Sequence, residues 1–321
     1  MATAVQSLEN ARTGILFDRT APECRGSISS AEGASKALAE SGLAVELIDL
    51  ARTGPGELPG RIDLALLAVH GLGGEDGKIQ GALDALRIPY SGSGVLASAL
   101  GMHKPTFKML AAQAGIDTPR WAVLRPERSV AATLASAGLE YPVFVKPASG
   151  GASLAAGIAH DKARLRELLA GARAFPYTEF MVEEYIRDGR DCTVGLIEVD
   201  GRLRTLPVLD VVTRREFYDN RAKRDASLCT ENCPSLLPTH ITEAVRHDAQ
   251  RVFRLIGAHG VLRVDFLVTA DGRTTLLEAN TLPGLSPRGN LAAMARADGI
   301  TYPALIRHVA RTALTKPGYL P

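Results

Sequence analysis

Apolar and polar positions alternate most regularly over residues 260–284, GVLRVDFLVTADGRTTLLEANTLPG, where β-branched and aliphatic side chains break at Asp271-Gly272 and then resume. The break predicts a β-hairpin closed by a two-residue turn. With the turn there, Arg263 lies opposite Asn280 and Asp265 opposite Glu278, and the period-two alternation puts all four on one face. Leu262, Val264, Phe266 and Val268 take the other face and point into a core. Two carboxylates opposed on neighbouring strands repel unless something positive sits between them. Hard oxygen donors of this kind suit magnesium, which keeps several waters and takes the rest of its shell from phosphates. A solvated hairpin is the competing reading, and an arginine and an asparagine on the same face weigh against it.

The remaining pattern reads as alternating strands and helices. Strands over 14–17 and 45–48 flank a helix over 30–41 that Gly42 closes, which is a βαβ opening. A buried parallel-type strand over 64–69 runs into the glycine-rich turn HGLGGEDG at residues 70–77 and a helix through Leu86. Such turns expose helix N-terminal N–H groups to anions. After the turn-rich PYSGSG at 89–94 comes a helix carrying His103, Lys104 and Lys108 and stopped at Gly115. A strand over 141–146 ends in Lys146-Pro147 and the flexible loop ASGGAS at 148–153, which can close over phosphates beside a lysine point charge. Residues 180–186 and 191–197 read as strand, turn, strand, the first able to hold an adenine by its backbone. Residues 216–237 have little periodicity and are expected to form a lid or binding loop, followed by a helix through Ile256 that Thr239 or Thr242 would cap.

Composition narrows the class. With 321 residues, 46% hydrophobic and 22% charged, the chain can bury cores in two or three domains. A net charge of +2, no basic run and 5% aromatic residues leave no footprint for nucleic acid. Residues 1–12 lack the apolar core of a secretory signal, and no uncharged run reaches bilayer length, so neither export nor a membrane partner is expected. Cys24, Cys192, Cys229 and Cys233 are too scattered for a disulfide framework and read as reduced thiols in a cytoplasm. A metal site from Cys192, Cys229 and Cys233 lacks a histidine partner.

Taken in order, these pieces resemble the D-alanine-D-alanine ligases of the ATP-grasp superfamily. The likeness runs from Gly14 to about Thr312 and is carried by HGLGGEDGKIQGALDALRIPYSGSGVLASAL at 70–100, the Lys104 helix, VFVKP at 143–147, FYDNRAK at 217–223, and RVDF with LLEANTLPG. It implies an α/β and α+β chain: a Rossmann-like domain over 1–92, then two ATP-grasp lobes over 93–182 and 183–321 that sandwich ATP. It implies that Asp265, Glu278 and Asn280 hold two magnesium ions, with manganese as a substitute. Phosphate contacts would come from Lys104, Lys146 and Lys223, and adenine and ribose contacts from Glu183, Glu184, Ile186 and Asp191. Members phosphorylate one carboxylate and let an amine attack the acyl phosphate, with Arg263 and the Gly284 N–H stabilising the oxyanion. The partners implied are a small carboxylate, a small amine and a second copy of the chain.

The substrate half, which includes His70, departs from the family pattern. The glutamate that grips the first ammonium aligns with Arg25, unless a shifted loop lets Glu23 substitute. The supporting serine falls on Ala152 and the tyrosine on Arg224. The serine for the second carboxylate falls on Gly289, beside Arg288. Opposite charges about 4 Å apart attract by roughly 4 kcal/mol at an effective dielectric near 20, so reversing that sign would cost orders of magnitude in affinity. The expectation is therefore a carboxylate–amine ligase with a non-standard first substrate. The alternatives are an authentic D-alanine-D-alanine ligase of cell-wall precursor synthesis and a non-catalytic nucleotide-binding regulator.

Overall fold

The structure is a computed structural model that describes residues 7–225 and 227–316; residues 1–6 and the side chain of Arg224, both subjects of expectations above, lie outside it. The first unit comprises β1 (Thr13–Phe17), α1 (Cys24–Glu40), β2 (Val45–Asp49), β3 (Leu64–Leu67) and α2 (Lys78–Ala85). Its strands are parallel in the order β2-β1-β3, and β1 and β3 are buried throughout, as unbroken apolar runs require. Helix α1 begins six residues before the expected start at residue 30. Its early turns are held by Ser27, Ser30, Ala31 and Ala34, small residues buried at helical spacing whose weak hydrophobicity hid the period.

The helix expected to carry His103 and Lys104 is two helices, α3 (Val95–Met102) and α4 (Lys104–Gln113). Pro105 cannot supply the N–H that would continue α3, and the His103 ring caps the new start by accepting from Thr106 N. The next unit is an antiparallel sheet of β4 (Trp121–Leu124), β5 (Val143–Pro147), β6 (Gly157–Ala159) and β7 (Phe180–Glu184), in the order β4-β7-β5-β6. With α5 (Val130–Ser136) and α6 (Lys162–Gly171) it encloses its own core around Leu134, Val143, Val145, Leu165 and Val182.

The largest sheet contains β8 (Arg190–Val199), β9 (Arg202–Thr205), β10 (Leu209–Thr213), β11 (Cys229–Asn232), β12 (Val261–Val268) and β13 (Thr274–Asn280). Its order is β11-β10-β8-β12-β13, with β9 on β8. Helix α7 (Thr239–Leu255) covers one face; neither threonine caps it, since Pro238 precedes it without a side-chain bond. Helices α8 (Asn290–Ala297) and α9 (Tyr302–Thr315) then return to the first unit, where α9 packs on α1, β3 and β8.

Two boundaries differ from expectation. A cut between 182 and 183 falls inside β7, whose last residues Glu183 and Glu184 are paired to β5 in the central sheet. Ala97, Phe107 and Ala111 of α3 and α4 belong to the core under the large sheet rather than to the central one. The segment 216–237 is also not wholly irregular, because Cys229–Asn232 forms the edge strand β11 against β10.

Candidate active site

The β12–β13 hairpin has the expected inner register, Arg263 opposite Asn280 and Asp265 opposite Glu278. Its tip differs. Thr269 N bonds Arg273 O across a three-residue loop in which Gly272 has a φ of +83°, and the ladder slips by one residue between Asp265 and Phe266. The slip leaves Leu277 out of the ladder, a β-bulge, and Leu277 and Glu278 both line the cavity. Leu262, Val264, Phe266 and Val268 face the core.

The charged face is an ion cluster. Arg263 grips Asp265 through Nε and Nη2, both at 2.9 Å, and Asp265 also accepts from Thr193 Oγ1 at 2.6 Å and Asn280 Nδ2 at 3.3 Å. Lys104 Nζ lies 3.4 Å from Glu278. Burial by itself would raise the Glu278 carboxyl, but Lys104, Lys146, Lys223 and Arg263 outweigh it and hold the group at about 2. The positive charge needed between the two carboxylates thus comes from a lysine and an arginine. Ionised Glu278, Asp265 and the Asn280 amide oxygen form a hard-oxygen donor set that fits a divalent cation completing its shell with phosphate and water.

Above this face opens a cavity of about 730 Å³, the right scale for a nucleotide with a small substrate. Lys104, Lys146, Lys223, Glu183, Glu184, Ile186 and Asp191 all line it. Their partners refine the roles expected of them. The Glu183 carboxylate is buried and held by Lys108 at 2.9 Å and Lys146 at 2.8 Å. Glu184 pairs with Arg120 at 3.0 Å, and burial, against the pull of Lys223, lifts Asp191 to about 7. Lys223 donates to Ser153 Oγ at 2.9 Å and Asn220 to Ala152 O at 2.7 Å. The Phe217 ring meets Phe144 edge-on at 5.2 Å. The aperiodic part of the lid segment therefore rests on the glycine loop, where Ala152, Ser153 and Ala155 all take positive φ near 50°.

The substrate side corrects two residues. Arg25 is exposed and off the cavity, whereas Glu23, immediately before α1, lines it. Consecutive residues at a helix start are turned by about 100°, so positions 23 and 25 look in nearly opposite directions. Glu23 Oε1 has no hydrogen-bond partner among the described residues. A Cβ on Gly71 would lie 2.4 Å from that oxygen and one on Gly151 2.7 Å, so two side-chain-free turns clasp the carboxylate. Arg288 is likewise exposed and off the cavity; Gly289 and Asn290, at the start of α8, line it instead.

His70 and Ala152 also line the cavity, but the His70 ring is engaged on both sides. Nδ1 lies 3.0 Å from Leu282 O and Nε2 2.9 Å from Ser30 Oγ, which itself accepts from Leu285 N at 3.0 Å. Since a carbonyl only accepts, Nδ1 carries the proton and Nε2 receives the Ser30 hydroxyl. His70 thereby fixes the turn containing Gly284, which also lines the cavity. Glu75 was not singled out from sequence although it stands in HGLGGEDG. It accepts from Gly71 N at 2.8 Å and Leu282 N at 3.3 Å, and burial, with nearby Glu23, pushes it up to about 8.

A three-stranded parallel unit, two further sheets facing one cavity, and converging lysines and carboxylates define an ATP-grasp ligase that forms C–N bonds. Models of the D-ala D-ala ligase N-terminus and C-terminus match residues 29–93 and 110–311. The D-alanine–D-alanine ligase of Alkalilimnicola ehrlichii is 38% identical, covering 94% of each chain. That of Syntrophotalea carbinolica is 35% identical over 95% of this chain and 96% of its own. The solved D-alanine–D-alanine ligase from Bacillus anthracis complexed with ATP superposes with a TM-score of 0.80 at 30% identity, covering 95% of this chain and 98% of that one. The chain belongs to the D-alanine–D-alanine ligase family. Among the described residues no helix is long and apolar enough to cross a membrane.

Proposed function

We propose that the chain joins two D-alanine molecules at the expense of ATP. The observation that carries this reading is Glu23, a cavity-lining carboxylate with one buried oxygen that has no hydrogen-bond partner among the described residues. It supplies the acceptor for the first ammonium that Arg25 would have denied, so the electrostatic case for a non-standard first substrate falls away. Ala152 and the Arg224 position still differ from the family pattern, so Glu23 carries the ammonium without the serine and tyrosine that the family has at those two positions.

In this reading the first carboxylate attacks the γ-phosphorus of ATP, ADP leaves, and the amine of the second molecule attacks the acyl phosphate; orthophosphate then departs as the amide forms. Lys104, Lys146 and Lys223 neutralise the phosphates, and Arg263 with the Gly284 N–H receives the developing oxyanion. Asp265, Glu278 and Asn280 would hold two magnesium ions, or manganese in their place, which neutralise the transferred phosphoryl group. Ile186, Leu267 and Leu277 give the cavity apolar walls for the base. We further propose the family's homodimer, which sedimentation tests, a cytoplasmic setting, and a three-domain division whose central lobe runs through Glu184.

The test is turnover of D-alanine with magnesium and ATP, assayed for D-alanyl-D-alanine, ADP and phosphate. Equimolar products are expected. Glu23→Gln should raise the KM of the first D-alanine by about 100-fold or more. ADP release driven by a dicarboxylate or hydroxy acid, with no dipeptide from D-alanine, overturns the reading.

A further inference from the structure

Lys108 lies on α4 one turn beyond Lys104, yet it does not line the cavity. Its side chain is fully buried at 0% exposure. A buried ammonium is kept only where it is paired and hydrogen-bonded, and each of its partners belongs to a different part of the site. Nζ lies 2.9 Å from Glu183 Oε1 on β7, while the other oxygen of the same carboxylate, Oε2, is 2.8 Å from Lys146 Nζ on β5. Glu183 is thus an anion clamped between two cations, one facing the cavity and one behind it. Lys108 also donates to Thr118 Oγ1 at 2.6 Å, and Thr118 donates onward to Leu276 O at 2.9 Å. Leu276 stands beside the bulge of the β12–β13 hairpin and takes a second tie, its N–H donating to Asp117 O at 2.8 Å.

We propose that Lys108 is a positioning residue for nucleotide binding, joining the lobe that presents Lys146 to the hairpin that presents Glu278. It rests on the ATP-binding reading of the cavity and names a residue that touches no substrate. The physical reason is charge balance. With Lys108 in place Glu183 shares itself between two lysines, and Lys146 keeps part of its field for the phosphates. Without Lys108 the carboxylate is satisfied by Lys146 alone and draws it toward the cavity floor. The tie from Lys108 to Thr118 would be lost as well, leaving the hairpin joined to the segment before β4 only through Thr118–Leu276 and Asp117–Leu276.

The charged groups facing Lys108 are Glu183 on β7, Lys146 on β5 and Asp117 in the segment before β4. Burial, against the pull of Glu183, brings Lys108 down to about 8. It is charged at neutral pH and loses its proton at mildly alkaline pH, a limb that an arginine, which does not titrate there, would lack.

The experiment measures Kd for magnesium-ATP directly, without amino acid, between pH 6.5 and 9.5. Wild type, Lys108→Met and Lys108→Arg are compared, each first checked for a cooperative thermal transition. Wild type should weaken above pH 8. Lys108→Met should bind about 10- to 100-fold more weakly at pH 7, the worth of a lost charge-assisted hydrogen bond, and should lack the wild-type limb above pH 8. Lys108→Arg should regain most of the affinity at pH 7 and remain flat from pH 8 to pH 9.5. Lys108→Met that folds and binds like wild type overturns the inference, as does an alkaline limb kept unchanged in Lys108→Arg. If Lys108→Met does not fold, the wild-type and arginine pH profiles decide alone. No ATP binding by wild type at any pH would sink the nucleotide reading itself, and a failure confined to the variants would not.

Discussion

The His70 imidazole is neutral by construction: its Nδ1–H is given to Leu282 O and its Nε2 receives Ser30. Burial depresses the ring to about 4 from an ordinary value of 6.5. A depressed group contributes stability above its unfolded pKa and loses it as pH falls through the folded one, so the window here is pH 6.5 down to 4. The full loss is roughly 3 kcal/mol. Wild type should therefore lose thermal stability across that window by more than His70→Gln does; parallel midpoint-against-pH curves would contradict the assignment. The neighbouring residues show what a sequence can and cannot say at this scale. Asp265, Glu278 and Asn280 were legible because strand alternation is rigid and places every second residue. Glu23 and Arg25 were confused because a helix start turns each residue by about 100°, so an alignment slip of two exchanges the residue facing in with one facing out.

Among elements, the glycine turns after β3 and β5 matter through what they leave out. They clasp Glu23 from two sides, and a methyl on either would meet its oxygen inside van der Waals contact. Gly151→Ala, where φ is not in the positive range, should leave the fold standing and raise the KM of the first substrate about 10- to 100-fold, the usual scale of overpacking. Unchanged first-substrate kinetics would show that the carboxylate can move aside freely. The glycines were visible in the sequence as turns, but their partner was not, because it comes from the start of a different helix. Pro105 marked the α3–α4 break in plain sight, and only the steady run of helix-forming residues around it suggested continuity. The strand β11 escaped notice because Cys229–Asn232 is a short edge strand with no alternation to read.

For the whole molecule, the cavity lies between the central and large sheets, so its occupant should fasten one to the other. Saturation with magnesium-ATP at 100 times Kd should stabilise the fold by about 2.7 kcal/mol. Hydrogen exchange should then slow both in the core around Val145 and Leu165 and in β12. Slowing of only one of them would mean the nucleotide sits on a single lobe. That α3 and α4 serve the large sheet although they precede the central one could not be read from periodicity, which reports that a face is buried and not against what. The bulge at Leu277 carries a consequence of its own. Pairing beyond it runs one step out of phase with pairing around Asp265 and Glu278, so the bulge, and not the turn, sets the count for the charged face. The tip at residues 270–272 is free to drift in length and composition while the chemistry stays in place, which makes it the natural anchorage for a dye that reports on occupation of the cavity.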